Sequence, residues 1–186
     1  MEIETKEKKS KLFMYIILFF TLSVLGWIFE VLNEIRKGHG FINRGVLQGP
    51  WLPIYGSAGL IIYLLLKKYK EKPHVVFSLS FIICFAVEYL TSLYLEISKG
   101  IIWWDYSKKP LNLNGRVCFL YTLIFAIIAT LVYYFIIPNL IKLFEKIPYK
   151  VISVICTILL VIFLADNIYS TKRPNIVRGA KIVNKI

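Results

Sequence analysis

Five apolar runs, at residues 12–32, 52–66, 75–97, 118–137 and 151–170, alternate with short basic or polar connections. No other feature constrains the chain as much. About 20 apolar residues span the hydrocarbon core of a bilayer as a helix, and in lipid only helices and closed barrels satisfy their own backbone polar groups. The predicted fold is therefore all-α, a polytopic membrane helical bundle of about five transmembrane helices over residues 12–170. A charged N-terminal tail (1–11) precedes it and a basic tail (171–186) follows. Of 186 residues 58% are apolar, which covers the roughly 100 positions that five spans require and leaves little else. A soluble α/β enzyme, a disulfide scaffold and a built-in ATPase domain are excluded on that count.

Local signals refine the elements. The first run lacks a small-residue cleavage site and is long for a signal-peptide core, so it reads as a retained helix. The second opens with Pro50-Trp51-Leu52-Pro53, prolines that suit the first turn of a helix. Pro138 is expected to end the fourth helix, leaving 139–150 as an interfacial connection. In the tail, Ile176, Val177, Ala180, Val183 and Ile186 recur at helical spacing away from Arg178, Lys181 and Lys185. That pattern predicts a basic amphipathic helix on an anionic leaflet. The pentapeptides 34–38 (EIRKG) and 96–100 (EISKG) each follow a helix and precede a loop with Asn, Arg and Gly. A parallel duplication of a helical hairpin would explain the pair.

The net charge is +12, and the cations flank the apolar runs as membrane-edge residues do. No nucleic-acid partner is expected. The alternating connections carry 11 basic residues on one side and 12 on the other, so the positive-inside rule leaves orientation open. Cys84, Cys118 and Cys156 form no C-x-x-C pair and read as small core residues. His39 and His74 fall in loops on opposite faces and read as solvated. With no nucleotide, nucleophile or paired-histidine motif present, no cofactor and no metal are expected.

Acids inside apolar runs are the sharpest functional signal: Glu30, Glu88, Glu96 and Asp166. A charge at mid-bilayer costs about 2.5–3.5 kcal/mol or more, so such groups pair, stay neutral or face a polar cavity. Glu88 lies nine residues before Ile97, about 13 Å below that helix end. Glu88, Ser92 and Glu96 share one helical stripe, and Ser23, Gly26, Glu30 and Asn33 share another. Thr122, Ala126 and Thr130 form a milder stripe on the fourth helix. Alternating helices bring Glu30, Glu88 and Glu96 toward the face that holds loops 33–50 and 98–117. All four tryptophans (27, 51, 103 and 104) belong there too. The loops add Asn43, Arg44, Asp105, Tyr106, Asn112, Asn114 and Arg116. Arg44 just upstream of the second helix's N-terminus suits an anion such as phosphate or carboxylate, or pairs with Glu30 or Asp105. Glu88 is expected to face the bundle interior within reach of a polar partner from another helix, through Glu30, Tyr55, Asp105 or Arg116.

These residues resemble a known pattern. Gly26-Trp27 with Glu30, Phe41-Ile42-Asn43-Arg44-Gly45, Gly49-Pro50 and Pro53-Ile54-Tyr55-Gly56, followed by Glu88, Trp104-Asp105-Tyr106-Ser107 and Asn112 to Arg116, are similar to the small bacterial ABC-transporter type IV, or CmpB-like permease, family. The resemblance covers residues 12–135 and implies a compact multi-pass protein of the cell membrane with these positions as its functional residues. Three functions follow as expectations. The first is a permease-like bundle moving a small polar or anionic solute, as a homo-oligomer or with a separate ATPase subunit. The second is an intramembrane enzyme on a lipid head group, with Asp105 or Glu88 as base. The third is a non-catalytic membrane subunit or assembly factor. Transport ranks first, and an enzymatic role is less expected than a non-enzymatic one.

Overall fold

A computed structural model describes residues 2–176 and 180–182. Helix α1 (Glu2–Arg36) extends the first apolar run backward through the charged tail. It stops where Gly38 turns left-handed at φ 80°, a conformation that costs glycine nothing. Helix α2 (Pro53–Leu66) begins with proline at its first turn. A short 3₁₀ turn at Lys67–Tyr69 leads into α3 (Pro73–Lys99), which Gly100 caps in the left-handed region. Helix α4 (Phe119–Leu131) passes through a π-turn at Val132–Ile136 into α5 (Ile137–Phe144), and α6 (Tyr149–Lys172) closes the bundle.

The chain is a helical membrane bundle, as the apolar runs predict. Four stretches are long and apolar enough to cross a bilayer: Ser10–Arg36, Pro73–Lys99, Phe119–Phe144 and Tyr149–Lys172. The fifth helix of the expected set, α2, has only 14 residues, about 21 Å against a hydrocarbon core of about 30 Å. Pro138 does not end the fourth helix. The π-turn just before it absorbs the missing amide, and the helix runs six residues further, to Phe144.

The reason α2 is short lies in the loop before it. Leu52 N donates to Ser23 O at 3.0 Å, and Ser23 lies thirteen residues, about 20 Å, below the end of α1. The 37–52 loop thus folds back deep against α1, burying Leu47 and Trp51 beside Phe20. The 100–118 loop does the same against α3. Its Tyr106 reaches Glu88, eleven residues or about 16 Å below Lys99. Non-helical backbone at such depth is tolerated where it is buried in protein or lines a cavity. Two helix–loop–helix units of this kind follow one another, the arrangement that the EIRKG/EISKG repeat anticipates.

Small residues let α1 and α2 approach closely. A methyl group on Gly26 would fall inside the Tyr55 ring, and one on Gly56 would meet Phe19 O and the Ser23 hydroxyl. Small-residue seams of this sort drive helix association in lipid through backbone proximity. Here the seam also fixes where Tyr55 points.

The tail departs from the expected amphipathic helix. Asn175 donates to Asn43 O and Gly45 O from its side chain and to Val46 O from its backbone. Further on, β4 (Lys181–Ile182) pairs antiparallel with β1 (Ile101–Ile102), while β2 (Asn112–Leu113) pairs with β3 (Val117–Cys118). Free backbone groups along β1 recruit the tail as a strand, and Ala180 packs on the Leu95, Ile101 and Trp103 cluster. Val177, Arg178, Val183, Lys185 and Ile186 lie outside the described residues. The tail, the 37–52 loop and the 100–118 loop therefore share one end of the bundle, while the 67–72 turn lies at the other. Cysteines placed at Lys70 and Lys108 should be labelled from opposite sides of the membrane. Labelling of both by one impermeant reagent added from one side would contradict this topology.

Candidate functional site

The two acid stripes and the two re-entrant loops meet at one buried polar cluster. Glu30, on the α1 stripe, accepts a 2.6 Å hydrogen bond from Tyr55 Oη of α2 through Oε1. Its Oε2 lies 3.6 Å from Arg44 Nε, with both side chains about one-fifth exposed. Glu88, on the α3 stripe and only 5% exposed, accepts from Tyr106 Oη at 3.1 Å through Oε1. The pairs adjoin: Tyr55 lies within electrostatic reach of Tyr106 and Glu88 as well as Glu30, and Tyr106 within reach of Glu30. Burial, and next the Glu88 carboxylate beside it, push the Tyr106 phenol well above its ordinary pKa. Tyr106 is thereby a committed hydrogen-bond donor.

Three buried atoms of this neighbourhood have no hydrogen-bond partner among the described residues: Glu88 Oε2, Thr122 Oγ1 and Arg44 Nε. Thr122 is wholly buried and its hydroxyl lies within reach of a hydrogen bond to the Glu88 carboxyl. Such groups cost about 1–3 kcal/mol each when left unpaired, more if charged. Arg44 keeps its ion pair with Glu30. Glu88 has no cationic partner among the described residues.

A second group stands higher on the α3 stripe. Arg116 forms an ion pair with Glu96 and donates to Ser92 Oγ at 3.4 Å. Its guanidinium also sits over the Tyr89 ring, and its carbonyl accepts from Trp104 Nε1. Asn114, in the left-handed region at φ 54°, donates to Tyr89 Oη at 2.9 Å. These contacts hold the 100–118 loop against α3 and leave Arg116 fully engaged. The two loops act alike here, each returning an arginine to an acid on the preceding helix.

The other predicted positions build the loops. Asn43 accepts from Trp27 Nε1 at 2.7 Å and donates to Gln48 O. Asn112 donates to Lys109 O and accepts from Gly115 N. Asp105, exposed, accepts from Ser107 N at 2.9 Å, an Asx turn. The hydrogen-bond donor found on Glu88 is Tyr106, which was not among the four partners anticipated. The alternative in which Arg44 pairs with Glu30 is the arrangement observed.

Two acids play parts that sequence reasoning did not assign. Glu34, 6% exposed, pairs with Lys37 at 2.8 Å and His39 at 2.7 Å, so His39 is a partner rather than a free loop residue. Glu34 opens the EIRKG repeat, the signal by which it could have been found. Asp166 accepts four hydrogen bonds, from Gln48 N, Gly49 N, Trp51 Nε1 and Ser170 Oγ. It ties α6 to the 37–52 loop.

A family model described as "Putative ABC-transporter type IV" matches residues 17–171, a span that takes in the whole polar cluster and both loops. No curated protein and no solved structure matches the chain.

Proposed function

The chain belongs to the ABC-transporter type IV family, and on that premise we propose that it is a permease-like membrane subunit moving a small polar solute through the Glu30–Tyr55–Glu88–Tyr106 cluster. It works as an oligomer or with a separate ATPase subunit. The observation that carries this reading is Glu88, buried on a membrane helix with one carboxylate oxygen unpartnered. Intramembrane ionisable residues mark substrate and ion pathways, and transporters place such sites where interrupted backbone meets helices near mid-membrane. The two deep loops supply that kind of backbone at the level of Glu88 and Ser23. Arg44 and Arg116 are each paired with an acid, which favours a polar solute over an anion. A purely structural polar core would leave fewer valences open, since helix-joining groups bond one another.

Flux tests the proposal. The protein, reconstituted into liposomes alone and with any ATPase encoded beside it, should release or accumulate at least one member of a mixed pool of labelled small polar solutes. Absence of flux for every class, together with chemical turnover of added phospholipid, would replace transport by lipid chemistry.

A further inference from the structure

We infer that the cluster selects a cationic nitrogen, so that its ligand is a small organic amine carrying an ammonium group held by Glu88. The inference rests on the functional reading above and names the substrate class of the same site.

Among the described residues two carboxylates, Glu30 and Glu88, and one cation, Arg44, surround the cluster. Arg44 lies 3.6 Å from Glu30, and Tyr55 Oη binds the other Glu30 oxygen. Arg116 pairs with Glu96 and Ser92 on the next turns of α3. Both arginines that could have met an anion already face an acid, although Arg44 Nε closes no hydrogen bond among the described residues. Glu88 is left with a phenol on Oε1, the wholly buried Thr122 hydroxyl as its other neighbour, and no cation among the described residues. A carboxylate buried without a cation is strongly unfavourable, and a matching positive donor relieves it.

The chemistry of the site specifies that donor. An ammonium brings one positive charge and up to three N–H donors, enough for an acceptor oxygen at Glu88 and one at Thr122. Aromatic residues border the two acids: Tyr55 and Tyr106 donate their hydroxyls to Glu30 and Glu88, and Tyr106 stacks on Tyr121 at 5.0 Å between ring centroids. A hard metal ion fits poorly, because calcium takes six to eight oxygen ligands and magnesium six. The described residues bring no three metal-ligating side chains together.

Thermal unfolding of the full-length protein in nanodiscs, with defined probes, decides the matter. Ethylammonium and ethanolamine should raise the unfolding temperature saturably, by about 2–4 °C, whereas acetate and inorganic phosphate should not. The half-saturating amine concentration should rise at least tenfold in Glu88→Gln and several-fold in Thr122→Val, and stay unchanged in Glu96→Gln, whose acid belongs to the Arg116 pair. Should Glu88→Gln fail to fold, Thr122→Val against Glu96→Gln carries the same comparison. No saturable amine response overturns the inference, as does saturation by acetate or phosphate, or a Glu88→Gln protein that responds like the wild type. Amine binding without flux of any solute would defeat the transport reading and leave this inference standing. Flux of an anion without amine binding would do the opposite.

Discussion

Glu88→Gln is expected to abolish solute movement, by a hundredfold or more, while changing stability by no more than about 1 kcal/mol. Glutamine keeps the length and shape of glutamate and can still accept from Tyr106 Oη through its amide oxygen. It removes the charge whose burial is costly, so folding loses little and can gain. What disappears is the one acidic group in the cluster without a cationic partner. Initial rates in proteoliposomes, read beside an unfolding curve of the same preparation, check both halves of the statement. Full activity in Glu88→Gln would reduce Glu88 to a packing residue. Arg44→Lys makes a useful companion, because lysine preserves charge opposite Glu30 but loses the planar guanidinium. If Arg44 only neutralises Glu30, this variant should retain most of the flux.

Asp166→Ala should be the most destabilising single change in the last helix, on the order of 3–5 kcal/mol and about 10 °C in Tm. Four donors converge on that carboxylate: two backbone amides, an indole and a hydroxyl. Truncation strands them at the joint between α6 and the re-entrant loop, where Trp51 is buried among Phe20 and Phe163. Asp166→Asn should fall between the two, since its new amide would face the Gly49 and Trp51 donors. Thermal denaturation in detergent, with the Glu88→Gln protein as the contrast, separates a structural acid from a functional one. An Asp166→Ala protein as stable as wild type would show that the loop holds its place without this clasp.

That contrast could not be drawn from the linear pattern, where Glu88 and Asp166 are both acids inside apolar runs. Periodicity did separate the stripes. Glu88, Ser92 and Glu96 face one way because four residues make slightly more than one helical turn, and the structure keeps all three on the loop side. Partners were a different matter. Tyr106 and Glu88 are eighteen residues apart, with a loop between them whose path no local preference dictates. Pro138 misled for a related reason. Proline normally stops a helix, but a π-turn upstream removes the need for the lost bond. The tail misled because its apolar spacing suits a helix in isolation, while an unpaired strand edge at Ile101–Ile102 offers it backbone partners instead.

The amino-acid sequence by itself determined that the chain is a membrane helical bundle, where its long helices lie, and which face collects the acids, aromatics and loops. Those properties follow from apolar run length, helical period and the strict alternation of antiparallel neighbours, all of which are local or nearly so. Tertiary structure alone decided that both motif loops plunge back beside their helices and that Arg44 and Arg116 are each matched to an acid. It also decided that Asp166 is saturated while Glu88 keeps an open oxygen. The reason is physical: whether a buried charge is satisfied depends on distances of 3–4 Å between groups far apart in the chain, and at that range a single turn of loop changes the answer.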